Sequence, residues 1–174
     1  MMDLMVRFLS STAKVLLLPI ALVLAVPPVS TAAPKHDLSG EYTLVASRGA
    51  FKFHGAAWVL NITQTDSSIE IVKTVDRQKC ISKFKLDGSE GVYTASSGQQ
   101  GSGKAQMKGH ALIVDGYVTH LESTTAGMQI HTHEKWELSS DGKTLTVNVH
   151  VDFPKSALEG YNAIDPWTEI YARN

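Results

Sequence analysis

Between Gly40 and the end of the chain, apolar and polar residues alternate in short runs, and most runs stop at a cluster of Gly, Asp, Ser or Thr. A period of two sends successive side chains to opposite faces of a strand, so one face of each run is made to be buried. Trp58, Leu60 and Ile62 alternate with Val59, Asn61 and Thr63, and Ile69, Ile71, Lys73 and Val75 alternate with Glu70, Val72 and Thr74. Thr65-Asp66-Ser67-Ser68 between them reads as a turn. The plainest hairpin comes late. Met128, Ile130, Thr132, Glu134, Trp136 and Leu138 share one face, Ser139 to Lys143 turns, and Leu145, Val147, Val149 and Val151 return. Setting Leu138 against Leu145 pairs Trp136 with Val147, His133 with His150 and His131 with Asp152.

Shorter runs fill the middle. Cys80 to Leu86 closes at Asp87-Gly88, Val92 to Ser96 leads into a Gly-rich stretch, and Lys104 to Lys108 turns at Gly109-His110 into Ala111 to Val114. Asp115-Gly116 has the composition of a two-residue hairpin turn, with a place inside a bent strand as the alternative; the turn is the favoured reading, followed by Tyr117 to Glu122. Phe153 to Pro166 breaks the alternation, with one helical turn expected at Ser156 to Gly160, and Trp167 to Ala172 closes the chain. The reading is all-β: an antiparallel meander of about ten strands, with no helical period of useful length. Such a meander has two unpaired edges, and it removes them by closing into a barrel or protects them as a curled half-barrel under a loop. The inner face would carry Tyr42, Leu44, Trp58, Leu60, Ile62, Ile69, Ile71, Phe84, Leu112, Val114, Trp136, Leu138, Leu145 and Val147.

The start of the chain is a different text. Arg7 and Lys14 make a weakly basic opening, Val15 to Val26 is apolar, and Ser30 to Ala33 is small. These are the three parts of a secretory signal peptide, and the apolar run is short of the ~20 residues of a spanning helix. Cleavage is expected after Ala32, giving a signal peptide at 1–32, a barrel domain at 33–174, an exported (periplasmic or extracellular) product and no stable membrane anchor. Sixteen Lys and Arg against 17 Asp and Glu leave a net charge of −1, which excludes a general nucleic-acid binder, since that needs a basic surface. Cys80 is the single cysteine. An exported chain with one cysteine has no internal disulfide and depends on its core. Cys80 shares parity with Ser82, Phe84 and Leu86, so it reads as a buried thiol.

Leu38-Ser39-Gly40-Glu41-Tyr42-Thr43-Leu44 resembles the opening strand of lipocalin-like proteins, with Tyr42 where that family has Trp. Leu60 to Asp66 and Trp136 to Val147 are similar to segments of small exported bacterial lipocalin-like (calycin-like) proteins of unassigned function. Ile170-Tyr171-Ala172-Arg173 resembles the family's closing strand, in which a basic residue packs over the first-strand aromatic. The resemblance implies a barrel that binds a small apolar or amphipathic ligand, without cofactor. Tyr42, Phe51, Phe53, Trp58, Trp136 and Arg173 are the candidate ligand residues. Two segments, Ser47 to Ala57 and Phe153 to Pro166, are placed to form a mouth. Arg48, Phe51, Lys52, Phe53 and His54 in the first would suit an anionic amphiphile such as a fatty acid.

The histidines offer a competing chemistry. His131-Thr132-His133 sets two imidazoles on one face of a strand, a spacing that metals accept. With Glu137 this resembles the first metal motif of cupins, and the register above adds His150. The alternative function is therefore a metal-dependent cupin-like enzyme using His131, His133, Glu137 and His150. Two features oppose it. The same face carries Lys135, Thr146 and Asn148, so it should look outward whereas cupin ligands look inward, and the second cupin motif is absent. An exposed polar face is the plainer reading. No Gly-x-Ser-x-Gly elbow is present, and no catalytic residues are assigned. A third alternative is a solid barrel, filled by its own side chains, acting as a structural or interaction module.

Overall fold

In the computed structural model, which describes residues 37–49, 58–119, 127–153 and 165–174, ten antiparallel strands close into a barrel. They are β1 (Gly40–Gly49), β2 (Trp58–Gln64), β3 (Ser68–Val75), β4 (Gln78–Lys85), β5 (Asp87–Thr94), β6 (Gln100–Lys108), β7 (Ala111–Thr119), β8 (Gln129–Leu138), β9 (Thr144–Asp152) and β10 (Trp167–Arg173). Each strand pairs with its sequence neighbours, and β1 pairs with β10 to complete the ring. The half-barrel alternative is thereby excluded: pairing Tyr42 with Arg173 and Leu44 with Tyr171 leaves no sheet edge. The expected helical turn at 156–160 and the signal peptide at 1–32 lie outside the described residues.

Alternation decides which side chains enter the barrel. Of the inner-face set read from the sequence, twelve are buried, and Leu44 and Leu138 are partly buried against the same core. Burying one such side chain contributes roughly 1.5–3 kcal/mol, so the inward parity of each strand is strongly enforced. The register of the late hairpin is the one expected from Leu138 opposite Leu145, with His133 across from His150 and His131 across from Asp152.

One turn was misplaced. Asp115-Gly116 is not a hairpin but lies inside β7, where Gly116 pairs with Gly103 of β6. The reason is steric. A Cβ on Gly116 would sit 2.6 Å from the Tyr93 ring, and one on Gly103 would sit 3.0 Å from Tyr93 Cβ. The glycine pair is the seat of an inward tyrosine, and composition alone does not separate a seat from a turn.

The two ends of the barrel differ. At the end where β1 begins and β10 finishes, Leu38, Tyr42 and Tyr171 are fully buried. Here the Tyr42 hydroxyl donates to the Leu38 carbonyl at 2.8 Å, and Arg173 Nη2 donates to the Tyr42 oxygen at 2.7 Å. The guanidinium lies 5.1 Å over the Tyr42 ring, as the lipocalin-like resemblance implied. Among the described residues, no such cluster fills the opposite end.

Candidate functional site

Where β2 and β10 begin and β3, β5 and β9 finish, the barrel holds a partly open cavity of about 230 Å³. Its apolar wall includes Trp58, Val118, Ile130, Val149, Val151 and Trp167, and its polar wall includes Lys73, Tyr93, Glu134 and Glu169. The volume lies below the ~300–1,000 Å³ of drug-sized sites, which limits the described space to a compact ligand.

The polar wall is two linked groups. Glu169, 1% exposed, accepts from Lys73 Nζ at 2.9 Å, from Trp167 Nε1 at 3.1 Å and from the Tyr171 hydroxyl at 2.6 Å. Lys73 also donates to Ser96 Oγ at 3.2 Å, and its ammonium sits 4.4 Å from the Trp58 ring. Glu134 accepts from the Tyr93 hydroxyl at 2.9 Å and from Trp136 Nε1 at 3.0 Å. Burial pushes the Glu134 carboxyl above the usual carboxylate range, and Glu169 adds to this, while Lys73 and the two hydrogen bonds oppose it. Burial, reinforced by the neighbouring carboxylates, also holds the Tyr93 and Tyr171 phenols well above their ordinary value. Burial raises the Cys80 thiol as well. With raised values the two phenols and the thiol keep their protons, so they serve as hydrogen-bond donors rather than activated nucleophiles.

Of the ligand residues read from the sequence, Trp58 lines the cavity and Trp136 stands behind it, holding Glu134. Tyr42 and Arg173 do not line it; they close the opposite end of the barrel. Phe51 and Phe53 lie outside the described residues. Lys73, Tyr93, Glu134 and Glu169 were missed as site residues. The available signal was a charged side chain at inward parity, since Lys73 shares its face with Ile69 and Ile71, and Glu134 with Thr132 and Trp136.

The histidines are on the outer wall. His131 and His133 alternate with inward Thr132 and Glu134, so they cannot reach the interior as cupin ligands do. Glu137 does not join them. It lies four residues from His133, about 14 Å along a strand at ~3.4 Å per residue, and pairs with Lys135 Nζ at 2.8 Å. Asp115 of β7 takes its place beside the imidazoles. Burial lowers the His131 pKa, and the neighbouring His133 adds to this.

The barrel and its inner cavity define a fold class, the closed ten-stranded antiparallel barrel, which solved proteins named for fatty-acid binding and transport share. Three solved structures show the likeness. A protein described as REP1-NXSQ fatty acid transporter superposes with a TM-score of 0.55 at 16% identity, covering 79% of this chain and 96% of that one. Echinococcus granulosus fatty-acid-binding protein 1 gives 0.54 at 12% identity, covering 78% and 96%. Human cRBP IV gives 0.51 at 15%, covering 79% and 98%. At such identities the likeness is one of fold. No family model matches the sequence, and no curated protein matches it.

Proposed function

We propose that this chain is an exported, non-enzymatic binding barrel that takes one compact apolar ligand into the cavity, with a hydrogen-bond-donating head group at Glu134. The observation that carries the reading is an inward carboxylate that, among the described residues, is bonded only to neutral donors and faces an otherwise largely apolar space. Lys73, the cation of the cavity wall, is already bonded to Glu169. A ligand carboxylate would meet two glutamates and one engaged ammonium, so it is opposed by charge. A hydroxyl or an ammonium finds an acceptor. The fold neighbours named as fatty acid transporter and fatty-acid-binding protein support an apolar ligand, and the interior of this chain argues for a different head group. The export half of the proposal rests on the basic, apolar and small-residue segments of residues 1–32.

The test is competition of 1-octanol, octylamine and octanoate against a neutral fluorescent probe. Burying an octyl chain at ~0.8 kcal/mol per CH₂ contributes roughly 6 kcal/mol, which corresponds to a Kd of tens of micromolar. The alcohol and the amine should compete in that range, one per chain, and octanoate about tenfold more weakly. Glu134→Gln should narrow the gap between amine and carboxylate. If octanoate binds tightest, the head-group assignment is wrong; if none of the three competes, the cavity is not a ligand site.

A further inference from the structure

Three neighbouring strands bring a second constellation together on the outer wall, apart from the cavity. One cross-strand row holds Asp115 of β7, His133 of β8 and His150 of β9. The adjacent outward row holds Tyr117, His131 and Asp152. Asp115 Oδ1 lies 2.5 Å from His133 Nδ1 and 3.8 Å from His131 Nε2. Asp152 Oδ2 lies 3.4 Å from His133 Nε2, and Asp152 Oδ1 lies 2.9 Å from His150 Nε2. Tyr117 stacks on His131 with ring centroids 4.1 Å apart and planes 5° from parallel, which fixes the imidazole plane.

We propose that Asp115, His131 and His133 form a binding site for a divalent transition-metal ion of the zinc class, with Asp152 orienting His133. One donor atom from each lies within 4.8 Å of the other two. A tetrahedral zinc ion with bonds of ~2.0–2.1 Å holds its donors about 3.3 Å apart. The observed spacings straddle that value, so rotamer adjustments of about an ångström gather them. His131 Nε2 supplies an independent sign. It is closed off from solvent and has no hydrogen-bond partner among the described residues, an arrangement that leaves an inward-turned donor atom for a ligand. A carboxylate behind the far nitrogen of a ligating histidine is the usual outer partner in such sites, and Asp152 stands there behind His133. Three protein donors leave a fourth position for water, and the ion clips β7 to β8 in the middle of the sheet.

The experiment is titration of the full barrel with Zn²⁺ in competition with a chromophoric chelator, repeated with Co²⁺ for its visible spectrum. One equivalent of Zn²⁺ should bind. His133→Gln and Asp115→Asn should each weaken it at least tenfold, and Asp152→Asn about tenfold. His110→Gln, in an exposed turn of β6–β7, should leave it unchanged. Co²⁺ should show the intense absorption of a four-coordinate N,O set. Zinc affinity unaffected by His133→Gln and Asp115→Asn, a hydrated octahedral cobalt spectrum, or no stoichiometric binding at 100 µM free ion would each overturn the site. Should a variant fail to fold, the wild-type imidazole ¹⁵N spectrum decides: zinc must shift the nitrogens of His131 and His133 and spare those of His110.

Discussion

At the residue scale, the buried pair Lys73–Glu169 carries the largest stake. Glu169 satisfies an ammonium, an indole and a phenol at once, so its removal takes one acceptor from three donors and leaves the Lys73 charge without its carboxylate. Glu169→Leu should cost roughly 3–5 kcal/mol in urea unfolding. Lys73→Met with Glu169→Leu should recover part of that loss, because no unpaired charge remains, and a double-mutant cycle measures the recovery. Glu134 predicts a pH dependence. Its carboxyl is raised in the fold by burial, so over the interval between its unfolded and folded pKa the folded state holds more protons and stability falls as pH rises. The penalty is absent below the unfolded pKa and complete above the folded one. Glu134→Gln should flatten this slope in denaturant titrations run from pH 4 to pH 8. A slope that the substitution leaves untouched would place the proton on another group. Lys73 and Glu134 were visible in the sequence as charges of inward parity, yet parity does not show which partner neutralises a charge. Lys73 and Glu169 are 96 positions apart, and only the closed ring brings their strands within reach.

At the scale of strands and turns, local pattern was enough wherever the two sides of a hairpin are long and alternate cleanly. β8 and β9 pair in the register that their apolar faces demand, and Ser139 to Lys143 turns with Gly142 at φ 71°. It was not enough at Asp115-Gly116, where turn composition serves packing instead. Gly116→Ala should therefore displace the Tyr93 ring and break its bond to Glu134, costing about 1–3 kcal/mol as an overpacked site does. The β3–β4 connection gives the opposite case. Asp76 and Arg77 occupy the left-handed region, at φ 47° and 78°, in a two-residue turn. Asn and Gly are the residues that such a turn favours. Replacing Asp76-Arg77 by Asn-Gly should stabilise the protein by about 0.5–2 kcal/mol in the same unfolding assay.

At the scale of the whole molecule, the meander determined the architecture, because ten strands paired in sequence order need only one further contact, β1 with β10, to lose both edges. The solid-barrel alternative describes one end. Tyr42, Tyr171 and Leu38 fill it, and Arg173 closes over Tyr42. The other end holds the cavity, with apolar walls and paired acids. Hydrophobic alternation could place the walls but not the empty volume, since volume depends on how large side chains from distant strands fit together. The two chemistries of the chain thus occupy opposite faces of the same strand: Glu134 looks into the cavity, while its neighbour His133 belongs to the outer row with Asp115 and His150.

The most direct measurement is an amide ¹H–¹⁵N map of the barrel during titration with 1-octanol. The binding account predicts saturable shifts at Ser96, Val118, Ile130, Glu134, Val149 and Trp167, around the cavity, with Tyr42 and the Ser139–Lys143 turn at the far end unmoved. Shifts confined to the outer wall, or spread without saturation, would contradict an interior site.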